Sequence, residues 1–308
     1  MSNNLKAWIN GELVHWDQAT VHIMSHSFTR GSAVFEVISF HQTSNGTAVF
    51  RLDEHLKRLR RSTKLMNMKL FHSEQEIEHA VMETIKANNL KNGFIKIIGY
   101  YGNPSFTLLS QQEKLDLSIF TVDEGLSKEH KQHVSACFCH WRKLDPNTVP
   151  VEAKVAGNYI NGMLALQEAN RRGFDMGILL DTNGFVAESG TESVFWVEGG
   201  VIKTPPLGRI LQSISRLSIL QAAEITGFKA VEEEVKPDKF MRADEIFFAS
   251  TSCKILPVNR IGDRVLENMP GPMSMKLSRM MSDICAGKNE RFSSWLFLVN
   301  ESVFPKTD

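Results

Sequence analysis

Two neighbouring stretches decide how this 308-residue chain is read: Pro146-Asn-Thr-Val-Pro-Val-Glu-Ala-Lys-Val-Ala-Gly-Asn-Tyr159 and Gly184-Phe-Val-Ala-Glu-Ser-Gly190. The first sets Lys154 among Ala153, Val155, Ala156 and Gly157 and reads as a strand ending in a Gly-Asn-Tyr turn. The second carries one isolated carboxylate, Glu188, between Gly184 and Gly190. An amine so placed can form a Schiff base with an aldehyde cofactor, and a carboxylate facing that cofactor's ring nitrogen makes the ring an electron sink. The pair points to pyridoxal phosphate chemistry. Each residue alone has a plainer reading, since most lysines are solvated surface charges and a glutamate flanked by glycines suits an exposed strand end.

The bulk of the chain narrows the alternatives. Hydrophobic residues are 42% and charged residues 23%, ordinary for a folded globular protein, and the length accommodates two compact units. Thirty-five basic residues balance thirty-five acidic ones, so no net field draws in nucleic acid or an anionic membrane surface. Any anion site must be local. No apolar run reaches the roughly 18 residues that span a bilayer, and the first ten residues lack the apolar core of a signal peptide, so a cytoplasmic location is expected. Cys137, Cys139, Cys253 and Cys285 are too few and too irregular for a disulfide framework. Cys137-Phe-Cys139 lacks a second pair at ligand spacing and reads as one face of a strand; no metal is expected.

Local patterns predict a hairpin over 8–14 about Asn10-Gly11 and another from 33–40 and 47–52 about Asn45-Gly46. Asp53 is placed to cap a helix through Leu56, Leu59 and Thr63, with Lys57, Arg60, Arg61 and Lys64 toward water. A helix over 73–87 and strands over 94–101 and 115–122 complete an N-terminal α+β domain, 1–122. The polar segment 123–133 reads as an interdomain linker, and 134–308 as a C-terminal domain. That domain shows a strand over 134–140, a helix over 158–172 closed by Gly173, strands over 176–181 and 191–197, and a Gly199-Gly200 turn. An amphipathic helix over 215–225, ended by Gly227, and a buried strand over 245–249 follow.

Four motifs recur here in one order: Trp8-Ile-Asn-Gly11, Phe50-Arg-Leu-Asp-Glu-His-Leu-Lys-Arg-Leu59, Ala153-Lys-Val-Ala-Gly-Asn-Tyr159 and Trp295-Leu-Phe-Leu-Val299. With them the chain resembles the fold-type IV pyridoxal-phosphate enzymes over nearly its whole length, and within that group it is most similar to the branched-chain amino acid aminotransferases. The resemblance implies a two-domain α+β and α/β architecture of the D-amino acid aminotransferase-like kind, its N-terminal α+β domain the smaller. It implies pyridoxal 5'-phosphate and a ping-pong transamination through an internal aldimine, between an L-amino acid of the branched-chain kind and a 2-oxo acid such as 2-oxoglutarate. Lys154 is implied as the Schiff-base lysine and proton carrier, and Glu188 as the partner of the ring nitrogen. Arg58, the amides of Ile214 and Ser215, and Thr251 are implied around the phosphate, with Tyr159 on the O3′ side of the ring. Phe35, Lys96, Arg30, Trp141 and Ser252 are implied around the substrate, and the assembly as a homodimer.

Departures from the family fall where substrate choice is made. In Phe94-Ile-Lys-Ile97, Phe94 and Lys96 stand where the family has a tyrosine and an arginine, so a point charge replaces a planar fork suited to a distal carboxylate. Arg30 replaces a common tyrosine and reads equally as a carboxylate ligand or an edge-strand charge. Ser213 and Ser215 stand for a frequent glycine and threonine. Val37 stands where the branched-chain enzymes carry glycine and resembles the D-amino acid aminotransferases, whereas Trp141 and Gly157-Asn158-Tyr159 side with the branched-chain group. Other readings therefore stay open: a D-amino acid or amine aminotransferase, an aminodeoxychorismate lyase of the same fold type, or a non-catalytic binding protein.

Overall fold

The structure, a computed structural model, describes residues 5–124, 131–267 and 269–299. It divides into two units, Met1–Lys128 with Asp283–Asp308, and Glu129–Ser282. The centre of the expected linker, 125–130, lies outside the described residues.

The first unit is built on an antiparallel sheet. β1 (Lys6–Ile9) and β2 (Glu12–His15) form the expected hairpin, with Asn10 and Gly11 both at positive φ, 49° and 110°. After α1 (His26–Arg30) come the second hairpin, β3 (Val34–Thr43) and β4 (Gly46–Phe50), then α2 (Leu52–Leu65), α3 (Glu74–Asn88), β5 (Gly93–Tyr100) and β6 (Asp116–Asp123). Apolar residues at helical spacing, Leu52, Leu56 and Leu59 in α2 and Ile77, Val81 and Ile85 in α3, are buried; α2 lies on β3, and α3 on β6 and β1. A capping box starts α3: the Ser73 hydroxyl accepts the Glu76 N–H at 3.1 Å while Glu76 accepts the Ser73 N–H at 2.6 Å.

Asp53 does not cap α2. The helix begins two residues earlier than such a cap would start it, behind Arg51, which adopts φ 53° and offers no side-chain cap. Arg51 instead donates its N–H to the Trp295 carbonyl at 2.7 Å and lays its guanidinium 4.3 Å from the Trp295 ring centre. From there the strand Leu296–Leu298 pairs antiparallel with β4, giving the order Leu296–Leu298, β4, β3, β5, β6, β1, β2. Asp283–Asp308 thus groups with the first unit, whereas the sequence reading ran the second domain to residue 308. Pairing between segments so far apart leaves no local signature.

The second unit runs β7 (Val134–Arg142), α4 (Tyr159–Arg171), β8 (Met176–Leu180), β9 (Val186–Ser189), β10 (Ser193–Glu198), β11 (Val201–Thr204), α5 (Ile214–Thr226), β12 (Ala230–Glu232), α6 (Pro237–Phe240), β13 (Glu245–Ala249), β14 (Leu256–Ile261) and β15 (Arg264–Val265). α7 (Pro272–Cys285) follows. The sheet is mixed, with β7 parallel to β8 and β14 and the order β12, β11, β10, β13, β14, β7, β8, β9. β9 also meets β10 through Glu188 and Ser193, so β10, β13, β14, β7, β8 and β9 close on themselves. Closure removes the open edge there. The core between these strands and α6 includes Ile178, Val194, Trp196, Phe240, Phe248 and Val258. Cys139, Ala165 and Leu179 seat α4 on the sheet so tightly that a Cβ on Gly177 would lie 2.5 Å from Cys139 Sγ. No helix among the described residues is long and apolar enough to cross a membrane.

Candidate active site

Lys154 is not on a strand. Pro150 cannot donate to a ladder, and the chain from there coils: Ala153 N–H bonds the Pro150 carbonyl at 3.0 Å and Val155 N–H bonds Ala153 at 3.1 Å. A single 3₁₀ turn, Ala156–Asn158, then leads into α4. This reversal turns the Lys154 amine back onto the helix start, where Nζ donates to the Tyr159 hydroxyl at 2.5 Å. Asn161 Nδ2 donates to the Arg142 carbonyl at 2.9 Å, tying the first turn of α4 to the end of β7.

Glu188 lies inside β9 and is buried. It is not isolated. Oε1 is ion-paired with the Lys143 ammonium, and Oε2 accepts the Leu211 N–H at 3.1 Å. Neither partner stands out in the sequence: Lys143 is one basic residue after a strand, and Leu211 contributes only main chain. Glu188 faces Ser193 across the closure, and Ser193 faces Ala249, so the turn carrying Thr251 and Ser252 begins on the same row of the sheet. Ser252 is exposed, its hydroxyl 3.1 Å from that of Ser250. A Cβ on Gly162 would lie 2.2 Å from the Gly190 carbonyl oxygen. Only two bare backbones fit there, so the helix bearing Tyr159 and the turn after Glu188 are set against each other directly.

α5 begins at Ile214, one residue before the expected start. The Ser213 hydroxyl accepts the Arg216 N–H at 3.3 Å, and the N–H groups of Ile214 and Ser215, first in the helix, have no acceptor within it. With the dipole behind them they are suited to an anion. Leu211, three residues upstream, links this helix start to Glu188. A primary amine on a phenol, a buried carboxylate and an amide-rich start to a 13-residue helix together suit the aldehyde, ring nitrogen and phosphate of pyridoxal phosphate. Asn158 Nδ2 is buried beside Tyr159 without a protein partner among the described residues.

The first unit holds Arg58, Lys96, Phe35 and Arg30. Arg58 is buried and grips fully buried Glu36 with Nε at 2.8 Å and Nη2 at 2.6 Å, while His55 Nδ1 lies 2.7 Å from the same carboxylate. Burial opposes ionisation of Glu36, but the Arg58 charge and the hydrogen bonds from Arg58 and His55 outweigh it and bring its pKa down to about 2. Period-two alternation puts Glu36 in phase with buried Val34 and Ile38, a legible sign that it needs partners. On the other face of the sheet Val37 is paired with Lys96, whose ammonium is 5.3 Å from the Phe35 ring centre. Burial lowers the Lys96 pKa, and no carboxylate lies within ion-pair range of it among the described residues. Arg30 ends α1 rather than lying on an edge strand; it is exposed, its guanidinium on the main-chain oxygens of Thr29 and Phe106 at 3.3 and 3.4 Å. Trp141, in the second unit, is exposed beside His140.

The family described as amino-transferase class IV matches residues 33–261. The branched-chain-amino-acid aminotransferase of Pseudomonas aeruginosa is 35% identical over 95% of this chain and 96% of its own. The crystal structure of the branched-chain aminotransferase of Thermoproteus uzoniensis with norvaline is similar with a TM-score of 0.92 at 32% identity, covering 96% of this chain and 99% of that one. That of the branched-chain amino acid aminotransferase of Thermobaculum terrenum in its PLP-form gives 0.89 at 28% identity, covering 98% and 100%.

Proposed function

The chain belongs to the class IV aminotransferase family and has its fold-type IV architecture, and from that premise we propose that it transfers the amino group of an L-branched-chain amino acid to a 2-oxo acid such as 2-oxoglutarate. When bound, pyridoxal phosphate supplies an aldehyde that captures the substrate's amino group and a ring that draws electrons from its α-carbon. The single observation that carries the reading is the Lys154 amine on the Tyr159 hydroxyl at 2.5 Å, in the unit whose sheet closes at Glu188.

Lys154 takes the proton from the substrate's α-carbon and returns it in the reverse half-reaction, and Tyr159 orients the amine for that exchange. Glu188 accepts the ring N–H, an ionic hydrogen bond of the stronger kind. The Ile214 and Ser215 amides, Thr251 and Arg58 hold the phosphate. Lys96, without a carboxylate partner among the described residues, takes the distal carboxylate of the 2-oxo acid, while Phe35 and Val37 offer apolar surface to a branched side chain. Trp141, Ser252 and Arg30 complete the substrate set, in a cytoplasmic homodimer. A D-amino acid aminotransferase is the second reading, favoured by Val37 on the same strand face as Phe35.

The test is a panel of L- and D-amino acids with 2-oxoglutarate or pyruvate on the purified protein. Turnover of leucine, isoleucine and valine with 2-oxoglutarate is expected. Preference for the D-enantiomers would overturn the substrate, and a protein with no visible cofactor band abolished by borohydride would overturn the chemistry.

A further inference from the structure

We propose that Lys143 is a positioning residue that fixes the Glu188 carboxylate for its bond to the cofactor's ring nitrogen. The inference rests on the role given above to Glu188. The Lys143 and Glu188 side chains are only 10% and 11% exposed, and they meet each other rather than water. Burying such a pair offers the fold little, because apolar residues of like size serve stability as well or better. What the pair does supply is direction. One carboxylate oxygen is held by the Lys143 ammonium and the other by the Leu211 N–H at 3.1 Å, from opposite chain directions, so the group cannot rotate about its last bond without losing one of them.

The donors are themselves anchored. Lys143 N–H bonds the Leu180 carbonyl at 2.8 Å, and its neighbour Arg142 accepts from Asn161 of α4 at 2.9 Å, the helix that begins at Tyr159. Arg209 reaches Asp181 at 3.6 Å and Asp145 at 4.0 Å, which ties together the segments carrying Leu211, Glu188 and Lys143. Lys143 is therefore the side chain through which the end of β7, already fastened to the helix of the reactive lysine's partner, also fastens the carboxylate. A carboxylate holding two donors keeps lone pairs for a third, so this arrangement restrains Glu188 without filling it.

The experiment compares Lys143→Met and Lys143→Arg, each alone and with Glu188→Gln, reading the single-turnover rate with saturating L-leucine, the position of the cofactor's visible band, and the affinity of the apoprotein for pyridoxal phosphate. Lys143→Met should slow the single turnover about tenfold or more and shift the band, while Lys143→Arg, which keeps a cation on the carboxylate, should stay within about threefold of the parent. In the Glu188→Gln background Lys143→Met should cost less than about twofold, because the group it positions is already gone. An unchanged band and rate in Lys143→Met, or equal losses in both backgrounds, would overturn the proposal. If Lys143→Met alone does not fold, Glu188→Gln is compared with the double variant, which leaves no buried charge unpaired: equal rates and spectra support the proposal, and a further loss in the double overturns it. Should Glu188→Gln itself leave rate and band untouched, the reading of Glu188 fails, and Lys143 with it.

Discussion

Glu36 in the first unit and Glu188 in the second are both buried strand carboxylates held by cations from elsewhere, yet they are finished differently. Glu36 is sealed: Arg58 and His55, one turn apart on α2, supply two guanidinium bonds and an imidazole contact, all from side chains. Glu188 takes one ammonium from the end of β7 and one main-chain N–H from the approach to α5. A carboxylate that takes three donors from its own unit stabilises the fold and has little capacity left for a ligand. One held by two donors at the seam of a closing sheet remains open to a ligand's N–H. The number and origin of donors, rather than burial, separates the sealed carboxylate from the one proposed to meet a cofactor.

The largest test of that contrast removes the lysine proposed to carry the chemistry of the second unit. Lys154→Ala should lower turnover by roughly a thousandfold or more and abolish the cofactor band with melting unchanged; a variant at the parental rate would contradict the assignment. Glu36→Ala should act first on stability, by about 3–5 kcal/mol in urea unfolding, because it leaves buried Arg58 uncompensated, and it should weaken pyridoxal phosphate binding only through the loss of that hold on Arg58. A change below about 1 kcal/mol would mean the cluster is not sealed.

The same cluster has a pH signature. Folding depresses the Glu36 pKa from 4.5 to about 2, so its contribution is complete above 4.5 and is lost as pH falls through 2. Stability should drop on the order of 3 kcal/mol across that window, and Glu36→Gln should flatten the drop. Gly162→Ala, whose methyl meets the Gly190 backbone, should cost about 1–3 kcal/mol and slow turnover by pushing α4 from the turn after Glu188. Smallest of all, Lys96→Ala should raise KM for 2-oxoglutarate about tenfold and disturb leucine less, the loss of one charge-assisted bond. Equal effects on both substrates would remove the distal-carboxylate role.

Much of this was legible beforehand where a few adjacent residues decide. The positive φ at Asn10-Gly11, the helix stopping at Gly227 and starting within one residue of the expected Ser215, and the burial of Ile77, Val81 and Ile85 each follow from local chemistry. Asp53 is a good capping residue that competes with its neighbours, and here Arg51, held by Trp295 from the far end of the chain, sets the helix start two residues sooner. Around Lys154, Val149, Val151 and Val155 have strand composition, while Pro150 and Gly157 break the ladder that a strand needs.

By itself the amino-acid order singled out the residues proposed to carry chemistry, Lys154, Tyr159 and Glu188, and most of the elements that bear them, since motif and periodicity are properties of short stretches. Only the tertiary structure decided who meets whom: Lys143 and Leu211 at Glu188, Arg58 and His55 at Glu36, the strand Leu296–Leu298 beside β4. Such partners are chosen by closing long loops and by burying charge together, and a main-chain N–H such as that of Leu211 looks the same in any sequence until the fold brings it to its acceptor.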